Sequence, residues 1–257
     1  MSKSFTEQVA IVTGGSDGIG AATAQMLAER GAHVVICARR KEKLEEAKTA
    51  IEKMGGSVET VSLDVSDTEA FEACIRDVAD RHGRLDMLVN NAASTQYAPI
   101  KHLSLENWKK DFAVNADAVF VGTKTAMDIM VPQGKGSIVN VSSSCALRAA
   151  HNMSSYSASK AALTHFTACA AIECAHTGVR VNTVVPGQVQ TEANRQFAAK
   201  APEIAAKTEA AIPMKRGGDP RELAEVICFM LSDAASYITG AAIPVDGGKT
   251  AELYLPS

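Results

Sequence analysis

Short, almost wholly apolar runs punctuate the chain at residues 9–12, 33–37, 58–63, 85–89, 137–141, 179–185 and 242–245. Runs of this length with little polar alternation predict strands buried on both faces, as in a parallel sheet. Helix-forming stretches separate them: AATAQMLAERG after residue 20, residues 42–54 ending at Gly55-Gly56, a helix from about Thr68, one long helix over 104–130, a helix opening at residue 154, and another over 221–231. Strand and helix alternate throughout, which predicts a doubly wound parallel α/β sheet. The segment after Pro186-Gly187 breaks this rhythm. QVQTEANRQFAAKAPEIAAKTEAAIPMK is alanine-rich and weakly anchored, and reads as a substrate lid over about 187–215.

With 257 residues, 46% of them hydrophobic, and no Pro/Gly/Ser-rich linker or charge block, residues 1–257 are expected to form a single domain. A net charge of -3 with both signs interspersed gives no footprint for nucleic acid or an anionic membrane, so neither is expected as a partner. The opening MSKSFTEQVAIVTGG lacks the apolar core of a signal peptide, and no later run approaches the roughly 20 residues of a membrane span. A cytoplasmic protein is expected. Cysteines at 37, 74, 145, 169, 174 and 228 form no CxxC and no His/Cys cluster at metal spacing. They read as small buried residues, and no metal is expected.

The first apolar run ends in TGGSDGIG, residues 13–20, and a helix follows directly. Gly14, Gly18 and Gly20, with Ser16 and Asp17 between them, sit where backbone passes close to a bound group and a helix aims its free N–H groups at it; a pyrophosphate suits that site. After the second strand, where a dinucleotide fold reads the adenosine ribose, no carboxylate occurs over residues 33–41, and Arg39 and Arg40 are present instead. Two arginines match a 2′-phosphate better than a free 2′-hydroxyl, which favours NADP(H) over NAD(H). Asp17 argues the other way. A unit charge at roughly 4 Å is worth about 4 kcal/mol at an effective dielectric of about 20, and half that at twice the distance, so a directly bonded Arg39 outweighs a more distant Asp17.

Asp64 and Val65 close the third strand. Asp64 either accepts a bond from an adenine amino group or, like Asp67, caps the next helix. Asn90, Asn91, Ala92 and Ala93 end the fourth strand, two amides and two small residues suited to backbone packed against a ligand. Asn115 falls inside the long helix, where it either bonds back locally or holds a water in a distortion. Tyr156 and Lys160, four residues apart, project from one helix face: a surface pair, or a phenol beside a positive charge that brings its pKa nearer neutrality.

These motifs in this order, TGGSDGIG, NNAA, IVNVSSS, YSASK, VVPG and ITGAAIPVDGG, resemble the classical short-chain dehydrogenase/reductase family over essentially the whole chain, implying a Rossmann-like fold. The resemblance implies that Tyr156 is the acid/base, that Lys160 lowers its pKa and bonds the nicotinamide ribose, that Ser143 polarises the carbonyl, and that Asn115 holds a water in the proton relay. It implies cofactor contacts from Gly14, Gly18, Ile19 and Gly20, from Asp64, Val65, Asn91 and Ala92, and from Pro186, Gly187, Val189 and Thr191. Ala93 departs from the family's usual glycine, and Asp17 occupies a position often basic in members that use NADPH. The implied activity is NADP(H)-dependent interconversion of a ketone and a secondary alcohol.

The stretch around His151 and Met153, with APEIAAKTEAAIPMKRGGDP, is similar to 7-alpha-hydroxysteroid dehydrogenases and points to a bulky alicyclic substrate lined by Ser143, Cys145, His151, Met153 and Tyr156. Two alternatives stand beside it. One is a 3-oxoacyl-carrier-protein reductase, weakened because the expected docking surface near 130–135 and 176–177 has only Lys135 as a firm cation; the other is a non-catalytic dinucleotide-binding protein. A homotetramer is the family's common state, with the 104–130 and 155–176 helices and the tail residues Tyr254 and Leu255 as contacts.

Overall fold

The computed structural model describes residues 4–252, so the tail contacts expected of Tyr254 and Leu255 lie outside the described residues. Seven strands form one parallel sheet in the order β3-β2-β1-β4-β5-β6-β7: β1 (Val9–Thr13), β2 (His33–Ala38), β3 (Ser57–Ser62), β4 (Met87–Asn90), β5 (Gly136–Val141), β6 (Val179–Pro186) and β7 (Ala242–Val245). The order reverses between β1 and β4, which opens a crevice at the carboxyl ends of those strands.

The apolar runs serve two cores at once. In β1, Ala10 and Val12 face a layer built by α1 (Gly18–Glu29), α2 (Lys41–Lys53) and α9 (Pro220–Leu231). Val9 and Ile11 face the other, built by α3 (Thr68–His82), α5 (Ala118–Gln133) and α6 (Ser154–Cys174). Both faces of a central strand are therefore covered, which is why those runs show no polar alternation. The edge strand β3 exposes Ser57 and Ser62.

Three expectations are adjusted. The fourth strand begins at Met87 instead of residue 85, because side chains take over the ladder there: Asp86 Oδ2 accepts from Val9 N at 2.8 Å, and Gln133 Oε1 accepts from Leu85 N at 3.0 Å. The long helix is three pieces, α4 (Leu105–Phe112), a π-helical turn (Ala113–Asp117) and α5. Among the cysteines, Cys37, Cys174 and Cys228 are buried, whereas Cys169 is exposed on the outer face of α6.

The segment after β6 folds as α7 (Glu192–Lys200) and α8 (Pro202–Ala210), neither of which contributes a buried residue. Thr191 caps α7 by accepting from Asn194 N at 3.3 Å. Among the described residues, no helix is long and apolar enough to cross a membrane.

Candidate active site

The crevice is built first by a staple between β1 and β4. Thr13 Oγ1 accepts from the N–H groups of Asn91 (2.9 Å) and Ala92 (3.1 Å), and Asn91 Nδ2 donates to the carbonyls of Thr13 (2.9 Å) and Gly14 (3.3 Å). Asn91 therefore shapes the turn with its amide nitrogen. A Cβ on Gly20 would lie 2.3 Å from Gly14 O and 2.5 Å from Asn91 Nδ2, so only glycine lets α1 begin directly beneath the turn. Gly14, at φ +65, opens the same turn in the left-handed region. A diphosphate fits this cradle, with backbone close by and a helix N-terminus behind it.

The cleft in front of the turn encloses about 670 Å³ and is lined by Gly14, Ser16, Asp17, Arg39, Arg40, Asp64, Val65 and Ala92, among others. Eight of the residues expected at the cofactor share this cleft. Ile19 instead packs against the core, and Gly18 lies against Thr191, where a Cβ would come within 2.9 Å of Thr191 Cγ2. Gly187 N donates to Val245 O at 3.0 Å, which ties Pro186-Gly187 to β7, and the buried Val189 pairs with Gly218.

Charges at the ribose end are already partnered. Asp17 caps α1 by accepting from Gly18 N at 2.7 Å and sits 3.5 Å from Arg40 Nη2, so it is no isolated repulsive charge. Arg39 Nη1 lies 3.7 Å from Asp64 Oδ2. Partial burial pushes the Asp64 carboxyl up, but bonds from Ser66 N and Oγ and the Arg39 guanidinium outweigh it and hold it below its usual value. Of the two candidates, it is Asp67 that caps α3, accepting from Ala70 N at 3.1 Å.

At the inner end, α6 brings Tyr156 and Lys160 beside Ser143, the residue after β5 and Ser142. Lys160 is 1% exposed; its Nζ donates to Val141 O at 2.7 Å and stands 5.9 Å from the Tyr156 ring centroid. Burial drives the two groups in opposite directions. Lys160 falls to about 7, opposed by Asp111. Tyr156 rises to about 12, with a hydrogen bond from Ser143 pulling it down and Cys145, Tyr97 and Asp111 pushing it further up. The sequence reading had Lys160 lowering the phenol's pKa; here burial is the largest influence on the phenol and the net direction is upward. Ser142 is spent on α6, bonding Lys160 O (3.2 Å) and Thr164 Oγ1 (2.7 Å), which leaves Ser143 as the serine facing Tyr156.

Asn115 occupies the π turn, fully buried. Its amide accepts from Ser94 N (3.0 Å) and donates to Ser94 O (2.8 Å) and Ser159 Oγ (3.0 Å), linking the loop after β4 to α6. Cys145 and Met153 are half-buried near the phenol's side of the site, and Met153 bridges Ala98, whereas His151 is exposed in a turn.

Sequence reasoning missed two residues. Asp111 is fully buried and accepts from Ser94 Oγ (2.9 Å), Gln96 N (3.1 Å) and Ser155 Oγ (2.6 Å), gripping the loop and the residue before Tyr156. Its signal was an acid on the inward face of α4, one turn before Asn115. Tyr97, 73% exposed, precedes Ala98, which pairs with Met153, and its phenol is raised by partial desolvation and by Cys145. An aromatic in the polar loop STQYAP was its signal.

Comparison with known proteins agrees with this geometry. A family model described as enoyl-(acyl carrier protein) reductase matches residues 14–250. The cis-4-hydroxycyclohexanecarboxylate dehydrogenase of Sinomonas cyclohexanicum is 40% identical over 98% of this chain and 100% of its own. The 2,5-dichloro-2,5-cyclohexadiene-1,4-diol dehydrogenase LinX of Sphingobium indicum is 37% identical over 96% and 98%, and the 3-oxoacyl-[acyl-carrier-protein] reductase FabG of Thermotoga maritima 37% over 94% and 97%. Solved structures with a cofactor bound match as well. A chain from Beutenbergia cavernae with NADP bound at low occupancy is 36% identical, with TM-score 0.92 over 98% of this chain and 100% of that one. An NAD+-bound xylitol dehydrogenase is 30% identical, with TM-score 0.90 over 95% and 99%. The chain belongs to the short-chain dehydrogenase/reductase family, as a nicotinamide-dinucleotide-dependent oxidoreductase that interconverts alcohols and ketones.

Proposed function

We propose that this protein is an NADP(H)-preferring reductase and dehydrogenase acting on alicyclic ketones and alcohols. The observation that carries the reaction is the hydrogen bond between Ser143 and Tyr156 beside the buried Lys160, joined to the cleft through Ser94, which lines it and bonds Asn115 and Asp111. When bound, the nicotinamide supplies or accepts the hydride. Ser143 and Tyr156 bond the substrate oxygen. Tyr156, with its phenol near 12, holds its proton at neutral pH and donates it as charge develops on that oxygen. Lys160, whose Nζ donates to Val141 O, would hold the nicotinamide ribose and, with its pKa lowered to about 7, could return the proton. Asn115 keeps Ser159, one turn below the phenol, in place.

The cofactor preference rests on Arg39 and Arg40, which are 75% and 60% exposed and held only by solvent-screened ion pairs. Both are free to turn onto a 2′-phosphate at small cost. Gly14, Ser16, Asp17, Asp64, Val65, Ala92, Pro186, Gly187, Val189 and Thr191 complete the proposed cofactor surface.

Support for an alicyclic substrate comes from the names of two relatives and from the lid. Residues 187–215 carry Phe197, Ile204 and Met214, all exposed, which suits closure over an apolar ring. The acyl-carrier reading is tested beside it: Lys135 is paired with Asp233 at 3.1 Å, a solvent-screened pair that leaves this lone cation as available as Arg39 and Arg40. Initial rates with NADPH and NADH against cyclohexanols, cyclic diketones, steroid ketones and acyl thioesters test the proposal. Cyclic substrates are expected to lead. Arg39→Ala is expected to raise KM for NADPH about 10–100-fold, the worth of a charge-assisted bond, and to leave NADH unchanged. Equal rates with both cofactors in the unmutated protein would refute the preference.

A tetramer is part of the same reading: Leu105, Phe120 and Ile172, on α4, α5 and α6, are 67%, 50% and 77% exposed. Sedimentation equilibrium is expected to give four times the chain mass, and a monomer would dismiss it.

A further inference from the structure

Far from the crevice, the fold assembles a group of side chains that the linear sequence disperses. His33 opens β2, Glu59 is the third residue of β3 and His82 is the last residue of α3. The intervals of 26 and 23 residues match no metal-binding motif, which is why sequence reading gave no metal. In the fold, His33 Nε2 and His82 Nε2 converge on one oxygen, Glu59 Oε1, at 3.0 and 3.2 Å. The imidazole ring centroids are 4.5 Å apart, and the three ligating atoms all lie within 4.8 Å of one another.

The geometry points to a divalent transition-metal site of the zinc type, formed by His33, Glu59 and His82 at the amino-terminal edge of the sheet. Metal bonds of about 2.0–2.1 Å in a tetrahedron set neighbouring ligand atoms roughly 3.3 Å apart. The two observed nitrogen-to-oxygen separations are within a few tenths of an ångström of that value, so an ion needs little rearrangement to enter.

The surrounding shell is suited to the task. Arg81 Nη1 donates to the other carboxylate oxygen, Glu59 Oε2, at 2.8 Å, and leaves Oε1 for the ion. Ser57 Oγ meets His33 Nδ1 at 2.6 Å. With an ion bound, Nδ1–H would donate to that hydroxyl while the Nε2 lone pair faces the ion, the usual outer-shell arrangement of a ligating histidine. Two imidazoles and one carboxylate select borderline ions such as Zn²⁺, Co²⁺ or Ni²⁺ over Mg²⁺ or Ca²⁺.

The three side chains are 23%, 34% and 23% exposed, so the fourth coordination position faces water. The Arg81 charge opposes a cation nearby and weakens its binding. Five strand steps of roughly 3.3 Å separate His33 from Ala38 at the cleft, about 17 Å. The bound ion is therefore structural: it clamps the end of α3 to the edge pair β2 and β3.

Co²⁺ is a direct probe, because a tetrahedral site gives it strong visible absorption. The chelator-treated full chain is expected to bind one Co²⁺ at micromolar concentration, to release it to Zn²⁺, and to gain about 5 °C in Tm with saturating Zn²⁺. His82→Gln and, separately, His33→Gln are expected to weaken binding at least 20-fold while NADPH binding persists, which reports that each variant is folded. His102→Gln, an exposed histidine outside the cluster, is expected to bind as the unmutated protein does. Absence of Co²⁺ absorption at millimolar concentration, or unchanged binding in both His82→Gln and His33→Gln, overturns the site and leaves the three residues an ion-paired cluster.

Discussion

Replacing Tyr156 with phenylalanine is expected to lower kcat by about 10³-fold and to leave the Kd for NADPH within a few-fold. The substitution removes one hydroxyl from a side chain whose ring stays in place, so the loss falls on proton transfer, for which a positioned acid or base contributes roughly 10²–10⁴-fold. Single-turnover rates and a fluorescence titration with NADPH separate the two quantities; undiminished turnover would remove Tyr156 from the mechanism. The unmutated enzyme should also show opposite pH trends in its two directions. Alcohol oxidation needs the phenolate, and with the phenol pushed up to about 12 its rate should climb from pH 7 to 10. Ketone reduction needs the proton and should not rise over that range. A flat oxidation profile would contradict the assignment.

Asp111→Asn is expected to cost a few kcal/mol of stability, read as a fall in Tm of about 5–10 °C. The carboxylate accepts three bonds, from Ser94, Gln96 and Ser155; asparagine can keep the two at one oxygen and donate to Ser94 Oγ at the other, but it loses the negative charge that strengthens all three. A pH signature distinguishes this role from plain packing. Lys160 has a folded pKa near 7, below its unfolded value of 10.5. Between those values the unfolded chain binds more protons, so this group's contribution makes stability rise with pH across that window. Asp111 supports the ammonium; without it the folded pKa drops further and the window extends below 7. The stability gap between Asp111→Asn and the unmutated protein should therefore be wider at pH 6 than at pH 9, as measured by urea unfolding. An equal gap at both pH values would make Asp111 a packing residue only.

The sheet was legible because a strand covered on both faces must be apolar throughout, and seven such runs stand out between helical stretches. Its start at Met87 was not, because the ladder there is closed by Asp86 and Gln133 side chains, and partners 77 and 48 residues away leave no local trace. The same reasoning separates the site residues. Gly20, Tyr156 and Lys160 follow local rules of turn and helix, so spacing reveals them. Asp111 acts through Ser94, Gln96 and Ser155, up to 44 residues away, and only the folded loop shows it. Asp17 looked like a lone charge because its roles, capping Gly18 and pairing with Arg40, depend on where β2 delivers the arginine. Burial misled in the opposite sense for Lys160. Its spacing from Tyr156 puts both on one helix face, but burial, invisible in sequence, drives the phenol up and the ammonium down.

The π turn over Ala113–Asp117 also bears on how this chain can diverge. Such a turn carries one residue more than the α-helical turn it replaces, and each helical residue advances the chain by about 100°. Deleting a residue there would make the helix regular and swing all of α5 by that angle, carrying Thr123, Ala126 and Met130 away from the sheet that buries them. A single-codon deletion there would therefore cost the burial of α5, whereas a substitution at any of these positions other than Asn115 would leave the helix in register.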